Sequence, residues 1–517
     1  MRTATRTATR TRTRTRTRTR TRTRAWLAAA LTGLLGLGAT GFTPASAPAG
    51  AAHRPPQPAW ERCDFDARLE CATVRVPLDH ARPRGRTLDL AVSRLAAEGR
   101  PRGVLLAVNG GPGGNEGMGR RAPLRFADSP LRAAYDLIGV DLRGTGASSP
   151  VHCEVTTPTV PFDSRTPDSS FAGLWADARA SEQGCARAGG AERRHIGTVS
   201  VARDLDRVRA ALGERKLNLI GYAYGSYVAA VYGTLFPHRL DRSVLDSVRH
   251  PDWTWRQQFM AQAVAIRENV GDWARWAGRR DGTLGLGGSQ RRVMATVERT
   301  AAALAERPVN GMNRTAFDAT VGSLANDRTR WDDLAALVAS LAAGDAPPAH
   351  TAAAAAEPAA AGAETGTGAE LRPGVLEAAT CESPWPREPG VYERDMRRFR
   401  ERYPYGLGMT RAQPWVCAFR TDSPQPPPRI RGAGRPAGLV VQAENDPQTH
   451  RAGGAAMAAR LGHPLITVAD DGSNEIYGKR GYRCVDDRVD RYLLTGRLPD
   501  RRHTVCAGAP RPAIAED

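Results

Sequence analysis

Short apolar runs alternate with longer helical patterns over much of this chain. The strand candidates, rich in β-branched and apolar residues, are Ala72–Val76, Leu88–Val92, Val104–Val108, Asp136–Val140, Leu217–Ile220, Ser243–Asp246, Gly438–Gln442 and Leu465–Val468. Helical stretches such as Val201–Leu212 and Ser226–Leu235 lie between them. This alternation favours right-handed crossovers, and the continuous apolar run Val104–Val108 suits a strand buried on both faces. The pattern predicts an α/β protein with a mostly parallel central sheet.

The strand signals stop between residues 251 and 435, where Ala-rich helical sequence with several tryptophans takes over. We interpret this segment as a helical cap inserted into one sheet domain, because the late strands need a sheet to join. The alternative is a second, independent domain. Residues 346–373 are rich in Ala, Pro, Gly and Thr and are predicted to form a loop. The predicted core is therefore 52–250 together with 436–517.

The N-terminus has the composition of a secretory signal peptide. Residues 1–24 contain ten arginines and no acidic residue, and the apolar stretch Ala25–Phe42 follows, ahead of small residues. A basic segment, a short apolar segment and small residues at a cleavage site define such a signal. Because Pro48 disfavours cleavage after Ala47, we predict a signal over 1–51 that is removed after Ala51. A retained single-helix anchor is the alternative. We expect a secreted protein without stable membrane insertion after cleavage.

The signal also changes the charge argument. The formal charge of the whole chain of 517 residues is +19, and removal of the ten arginines leaves about +9. No compact basic cluster interleaved with aromatic residues is found in the rest, so a nucleic-acid partner is not expected. Charge-driven association of the mature chain with an anionic cell wall or membrane surface stays an alternative.

Cysteine usage agrees with an oxidising compartment. The even set consists of Cys63, Cys71, Cys153, Cys185, Cys381, Cys417, Cys484 and Cys506. Sequential pairing is the simplest expectation, although eight cysteines allow 105 connectivities. None forms a CxxC pair and no histidine falls at zinc-ligand spacing, so we expect neither a metal site nor a cofactor.

A sharp strand-to-helix turn is the first pattern that points to chemistry. The strand candidate Leu217–Ile220 continues into Gly221-Tyr222-Ala223-Tyr224-Gly225 and then into a helix. This is the context of the G-x-S-x-G nucleophile elbow, in which flanking glycines permit a strained turn. The alternative is a tight turn that requires only small residues.

Two further patterns accompany that turn. Val104–Val108 ends in a loop with Gly110 and Gly111, whose backbone N–H groups, with that of Tyr224, are candidates for an oxyanion hole. The late strands lead to Asp446 and then to the loop containing Asn474. The order elbow, acid, third member is that of the α/β-hydrolase fold.

These stretches resemble a known family. They include NGGPGG at 109–114, DLIGVDLRGTGASSP at 136–150, VARDLDRVRAALG at 201–213, GYAYGSYVAAVYGTLFP at 221–237, VLDSV at 244–248, ENDP at 444–447 and EIYG…CVD…RYLLTGRLP at 475–499. From about Trp60 to Cys506 the chain is similar to secreted actinobacterial tripeptidyl aminopeptidases and their proline-iminopeptidase-like relatives. The resemblance implies serine hydrolases of the α/β-hydrolase fold, with a central sheet and an inserted helical cap.

The resemblance also exposes two departures at the catalytic positions. Family members that hydrolyse peptides carry Ser where this chain has Ala223 and His where it has Asn474, and only the acid, Asp446, is retained. A methyl group cannot attack a carbonyl, and a carboxamide has no proton to exchange near neutral pH. The sequence therefore predicts that ordinary serine-peptidase turnover is lost.

Two functions of different classes follow. The first is a secreted, monomeric pseudoenzyme that binds a peptide, a small acyl-type ligand or a protein without turning it over. The second is an active hydrolase or aminopeptidase with a non-standard site. Its nearby polar candidates are Tyr222, Tyr224, Ser226 and Ser473.

Overall fold

A ten-stranded sheet forms the centre of the described chain. The computed structural model describes residues 57–113, 118–155, 157–351 and 370–517. The strands are β1 (Glu61–Arg62), β2 (Glu70–Pro77), β3 (Thr87–Leu95), β4 (Val104–Val108), β5 (Asp136–Val140), β6 (His152–Val155), β7 (Leu217–Tyr222), β8 (Leu240–Asp246), β9 (Glu370–Pro373), β10 (Leu439–Ala443), β11 (Leu465–Ala469) and β12 (His503–Ala507). The order in the sheet is β1-β2-β3-β5-β4-β7-β8-β10-β11-β12.

The helices fall into two groups along the chain. Those between strands of the sheet, before β8 and after β10, are α1 (Met118–Arg121), α2 (Phe171–Gly189), α3 (Thr198–Ala211), α4 (Tyr224–Leu235), α12 (Ala452–Leu461) and α13 (Arg483–Thr495). Those between β8 and β10 are α5 (Trp255–Ala277), α6 (Asp281–Leu284), α7 (Gln290–Glu306), α8 (Arg314–Asn326), α9 (Trp331–Ala343), α10 (Val375–Ala379) and α11 (Pro389–Arg402). None of the described helices is long and apolar enough to cross a membrane.

The sheet is antiparallel at one end and parallel over the rest. Strands β1, β2, β3 and β5 pair antiparallel, whereas every pairing from β5 through β4, β7, β8, β10 and β11 to β12 is parallel. All five residues of β4 and of β10 are buried, as expected for strands with helices on both faces. The predicted mostly parallel α/β fold is confirmed.

The predicted loop at 346–373 is wrong at its C-terminal end. Glu370–Pro373 forms β9, which pairs antiparallel with β6 in a separate two-stranded ribbon. All four residues of β9 are exposed, so no apolar alternation marks it as a strand. Residues 352–369 of the predicted loop and the predicted signal over 1–51 lie outside the described residues.

Helices α5, α7, α8 and α9 share an apolar core of their own. Trp273, Trp276 and Trp331 are fully buried in it. The indole N–H of Trp273 donates to the carbonyl of Trp331 at 3.0 Å, and that of Trp331 donates to the carbonyl of Ala325 at 3.0 Å. These tryptophans therefore build the helical region rather than a ligand platform.

Four disulfides join sequential cysteines, as the sequence favours. The pairs are Cys63–Cys71, Cys153–Cys185, Cys381–Cys417 and Cys484–Cys506. The second fixes ribbon strand β6 to α2, and the fourth fixes edge strand β12 to α13.

Candidate functional site

The turn between β7 and α4 has the geometry of a nucleophile elbow. Ala223 sits there with φ 49° and ψ −113°, a conformation that L-residues rarely adopt. A Cβ at Gly221 would lie 2.3 Å from the carbonyl oxygen of Gly225, and a Cβ at Gly225 would lie 2.2 Å from that of Val108. Both glycines are therefore required by close backbone packing. The surrounding packing therefore holds Ala223, at the centre of the turn, in a strained backbone conformation.

The glycine-rich loop after β4 lies directly beside that turn. A Cβ built at Gly110 would lie 3.1 Å from Cβ of Ala223 and 3.3 Å from Oε1 of Glu475. Gly110, Gly111 and Tyr224 line the same cavity as Ala223. Tyr224 is the first residue of α4, so its backbone N–H has no partner within the helix. These positions suit the predicted oxyanion hole, which stays a prediction.

Asp446 follows β10 and is completely buried. Its Oδ1 accepts the backbone N–H groups of Gln448 and Thr449, each at 2.8 Å. Its Oδ2 accepts the hydroxyl of Thr449 at 2.6 Å and Nε2 of Gln442 at 3.3 Å. Burial raises the pKa of the Asp446 carboxyl to about 6, against the opposing effect of these hydrogen bonds.

Asn474, the predicted third member, contacts the predicted acid directly. Its Nδ2 donates to Oδ2 of Asp446 at 2.9 Å and to Oγ1 of Thr449 at 3.1 Å. The structure thus brings together the predicted acid and the predicted third member. A carboxamide in this position orients and donates, but it cannot carry a proton between a hydroxyl and a leaving group.

Asp246, at the end of β8, supports the loop that carries Asn474. Its carboxylate accepts the backbone N–H of Ile476 at 3.1 Å and that of Tyr477 at 2.7 Å. The hydroxyl of Ser247 donates to Asp246 at 2.8 Å and accepts the backbone N–H of Glu475, also at 2.8 Å. Burial raises the pKa of the Asp246 carboxyl to about 7. Sequence reasoning placed Asp246 in a strand and missed this role.

These groups surround a cavity of about 200 Å³. Its lining residues are Gly110, Gly111, Ala223, Tyr224, Arg249, Trp255, Gln258, Phe259, Gln262, Gln448, Thr449, Asn474 and Glu475. No histidine, serine or cysteine of the described chain is among them. A hydroxyl and an imidazole within reach of each other, which a serine-hydrolase mechanism needs, are therefore not part of this wall.

Helix α5 contributes two polar side chains that the sequence analysis did not single out. Gln258 and Gln262 are one helical turn apart, and each donates Nε2 to the carbonyl of Gln448 at 3.0 Å. Since a carbonyl only accepts, these bonds fix both amides with Oε1 directed away from Gln448. Within the described residues neither buried Oε1 has a hydrogen-bond partner.

Arg249 is the cationic group of the same cavity. It is 3% exposed and lies over the rings of Tyr227 and Trp255, at 4.1 and 4.4 Å from their centroids. Its Nη2 donates to the carbonyl of Trp253 at 2.8 Å. Its Nε and Nη1 have no hydrogen-bond partner in the described part of the chain. Arg249 thus adds buried donors, and α5 adds buried acceptors, to the residues that line the cavity.

Of the four polar residues considered for a non-standard reaction, three have their hydroxyls in other hydrogen bonds and the fourth is not part of the cavity wall. The hydroxyl of Tyr222 donates to the carbonyl of Tyr477 at 2.8 Å, and that of Ser226 donates to the carbonyl of Ala223 at 2.6 Å. The hydroxyls of Tyr224 and Thr198 contact each other at 3.1 Å. Burial raises the pKa of both Tyr222 and Tyr224, which opposes their use as bases. Ser473 does not line the cavity.

Comparisons with known proteins agree with this architecture. Residues 103–317 match the family model for the alpha/beta hydrolase fold, and residues 403–506 match that for TAP-like proteins. The chain is 35% identical to a tripeptidyl aminopeptidase of Streptomyces lividans over 483 residues, which covers 88% of this chain and 87% of that protein. A tripeptidyl aminopeptidase of Streptomyces coelicolor gives the same values. Identity to a carboxylesterase B of Mycobacterium tuberculosis is 31%, over 86% of this chain and 89% of that protein. This chain therefore belongs to the tripeptidyl aminopeptidase family of the α/β-hydrolase fold.

Proposed function

We propose that this chain is a secreted, peptide-binding member of its family that does not form a serine acyl-enzyme. The observation that carries the proposal is Ala223, a methyl group in the strained position of the elbow. Without an oxygen at this atom no covalent intermediate forms on the turn. Asn474 in contact with Asp446 removes the proton carrier as well.

The polar groups of the cavity support a peptide as the ligand. In the part of the chain that the structure describes, Oε1 of Gln258 and of Gln262 lack an N–H donor, and Nε and Nη1 of Arg249 lack an acceptor. Buried polar atoms left without partners destabilise a fold, so a ligand that satisfies them gains affinity. A peptide backbone supplies both kinds of group. Two relatives are named tripeptidyl aminopeptidases, and this similarity supports a peptide as the ligand class of this chain.

Reactivity and binding test this proposal separately. The purified mature protein is expected not to react with a fluorophosphonate probe and not to cleave tripeptide-aminocoumarin substrates, with the Streptomyces lividans relative as the active control. Calorimetry with the same tripeptides as amides is expected to show saturable binding. Covalent labelling of any serine in the cavity, or turnover by the mature chain, contradicts the loss of catalysis. Absence of tripeptide binding contradicts the ligand class.

Secretion is the second part of the proposal. It is supported by the basic and apolar N-terminal sequence and by the four disulfides, which persist in oxidising compartments. Expression in a secreting host and N-terminal sequencing of the protein from the medium tests it. We expect a mature chain that starts at Ala52. A chain that stays in the cells with residues 1–51 attached contradicts the proposal.

A further inference from the structure

A second cavity, of about 470 Å³, lies between the β6–β9 ribbon, α2 and the segment that follows residue 409. Its volume is in the range of small-molecule sites. Phe259 lines both this cavity and the one at Ala223. We call the larger space the cap cavity.

Arg411 is the unusual group in its wall. Among the described residues it has no hydrogen bond, no ion pair and no aromatic ring beneath its guanidinium, and its buried Nε lacks a partner. Burial lowers the pKa of Arg411, and no carboxylate opposes that effect. Arg256 of the same helical region, by contrast, is buried and paired with Asp395 at 2.7 Å. A guanidinium kept near a cavity without a counter-charge has donors available for a ligand.

The acidic residues of the cap cavity do not neutralise Arg411, because each is engaged by other groups. Glu154 is paired with Arg187, Asp163 with Arg314, and Glu377 with Arg372, while Asp177 accepts the backbone N–H groups of Thr159 and Val160. Of the two arginines in this wall, Arg372 is paired with Glu377, whereas Arg411 has no partner among the residues that the structure describes.

The remaining walls are largely apolar and aromatic. Leu174, Trp385 and Trp415 line the cap cavity together with Phe259. The indole N–H groups of Trp385 and Trp415 are already used, since both donate to Thr380, at 3.0 and 2.9 Å. Their rings therefore offer surface for apolar contact rather than further hydrogen bonds.

We propose that the cap cavity is a binding site for an organic carboxylate, with the carboxylate on Arg411 and an apolar body against Trp385, Trp415 and Phe259. A planar guanidinium binds a carboxylate through two parallel N–H···O bonds. Burial of the apolar body adds affinity in proportion to the area removed from water. This site does not depend on the proposed function, because it requires neither Ala223 nor any turnover.

Binding of ω-phenylalkanoates of increasing chain length, measured by calorimetry on the full mature chain, tests the site. The matched ω-phenylalkanols have the same body without the charge. We expect the carboxylates to bind more tightly than the alcohols, and Arg411→Gln to weaken carboxylate binding about tenfold or more while binding of the alcohols is unchanged. Arg411→Lys keeps the positive charge but not the planar guanidinium. Its affinity for the carboxylates is therefore expected to lie between those of the parent and of Arg411→Gln. Arg398→Gln, at an exposed arginine of α11, is the matched control.

Thermal stability separates a ligand-binding arginine from a structural one. An unpaired, partly buried charge opposes folding, so Arg411→Met, which keeps the length of the side chain, is expected to raise Tm without ligand. If Arg411 had a structural role, the same substitution would lower Tm. Equal binding of carboxylates and alcohols, no binding of any carboxylate, or unchanged carboxylate affinity in Arg411→Gln overturns the proposal. A lower Tm of Arg411→Met also counts against it.

Discussion

Asn474 donates Nδ2 to Oδ2 of Asp446 at 2.9 Å, the same oxygen that accepts the hydroxyl of Thr449. Asp446, the acid that the resemblance implies, thus keeps a hydrogen-bond network, and Asn474, the predicted third member, contacts it. In the proposed function, proton transfer at Asn474 and attack at Ala223 are the two steps that are absent. Because the backbone at both positions is held by other residues, restoring the two side chains tests whether the scaffold is still competent.

The double variant Ala223→Ser/Asn474→His is expected to gain covalent labelling by fluorophosphonates and measurable tripeptide-aminocoumarin cleavage. In a serine protease, removal of the nucleophile or the histidine alone costs about as much as removal of both, near 10⁶ in kcat. Each single variant is therefore expected to stay close to the inactive parent. Activity in Asn474→His alone would show that another nucleophile acts, and inactivity of a folded double variant would contradict a competent scaffold.

The buried carboxyl of Asp446 gives stability a pH dependence of defined sign. Its pKa rises from 3.8 to about 6 in the fold, so the folded state binds more protons than the unfolded chain between these values. The contribution of this group to stability therefore falls as pH rises from about 4 to about 6. We expect the free energy of unfolding of Asp446→Asn minus that of the parent to increase over this range and to level off above it, as measured by urea unfolding.

Asp66 supplies a control of opposite sign. The Arg68 side chain lowers the pKa of the Asp66 carboxyl to about 2, so its contribution is present above pH 4 and is lost as pH falls towards 2. For Asp66→Asn the difference from the parent is therefore constant between pH 4 and 6. A difference for Asp446→Asn that is equally constant there, or that decreases, would show that the Asp446 pKa is not raised.

Gly225→Ala is expected to destabilise the fold by about 3 kcal/mol or more. The added Cβ would lie 2.2 Å from the carbonyl oxygen of Val108, so β4 or α4 has to move. Gly390→Ala is the matched control within α11, because its Cβ would meet only the flexible end of Arg394, at 3.5 Å. That control is expected to be neutral or slightly stabilising. Similar urea midpoints for the two variants would contradict the close packing at the elbow.

Arg143→Ala is expected to lower the free energy of unfolding by about 3–5 kcal/mol, because it removes both guanidinium bonds of the buried Asp204 and leaves the His80 imidazole, at 2.9 Å, as its side-chain partner among the described residues. Arg143 donates Nε and Nη2 to the two oxygens of Asp204, each at 2.6 Å, and donates to the carbonyl of Leu78 at 3.0 Å. Arg75→Ala breaks the exposed pair with Asp89 and is expected to change stability by less than about 1 kcal/mol. Equal losses in denaturant unfolding would contradict this difference.

Most strands of the sheet could be predicted from the sequence because the central strands are continuously apolar. Strands β4 and β5 have the predicted bounds, and the other six predicted strands are present with ends that differ by up to three residues. The missed strands lie at edges. In β12 only Cys506 is buried, and in β9 no residue is, so neither shows a periodic pattern. Their positions depend on pairing with distant segments.

Those parts of the candidate site that depend on the order of residues along the chain could be predicted from the sequence. The order of Ala223, Asp446 and Asn474 predicted their proximity, because loops at the carboxyl ends of neighbouring parallel strands meet. The approach of Gln258 and Gln262 to Gln448 could not be predicted, since it depends on how α5 lies over the sheet. The same holds for Arg411, because its lack of a partner within the described ranges depends on how the chain packs.

The strained turn at Ala223 has an evolutionary consequence. Alanine and serine codons of the GCN and TCN series differ in a single base, as do the asparagine and histidine codons AAY and CAY. A backbone that keeps φ at 49° at Ala223 is therefore separated from the serine, aspartate and histidine that the resemblance implies by a single base change at each of two codons. Populations of this gene under selection for peptide hydrolysis would be expected to regain the reaction at these codons before altering the rest of the chain.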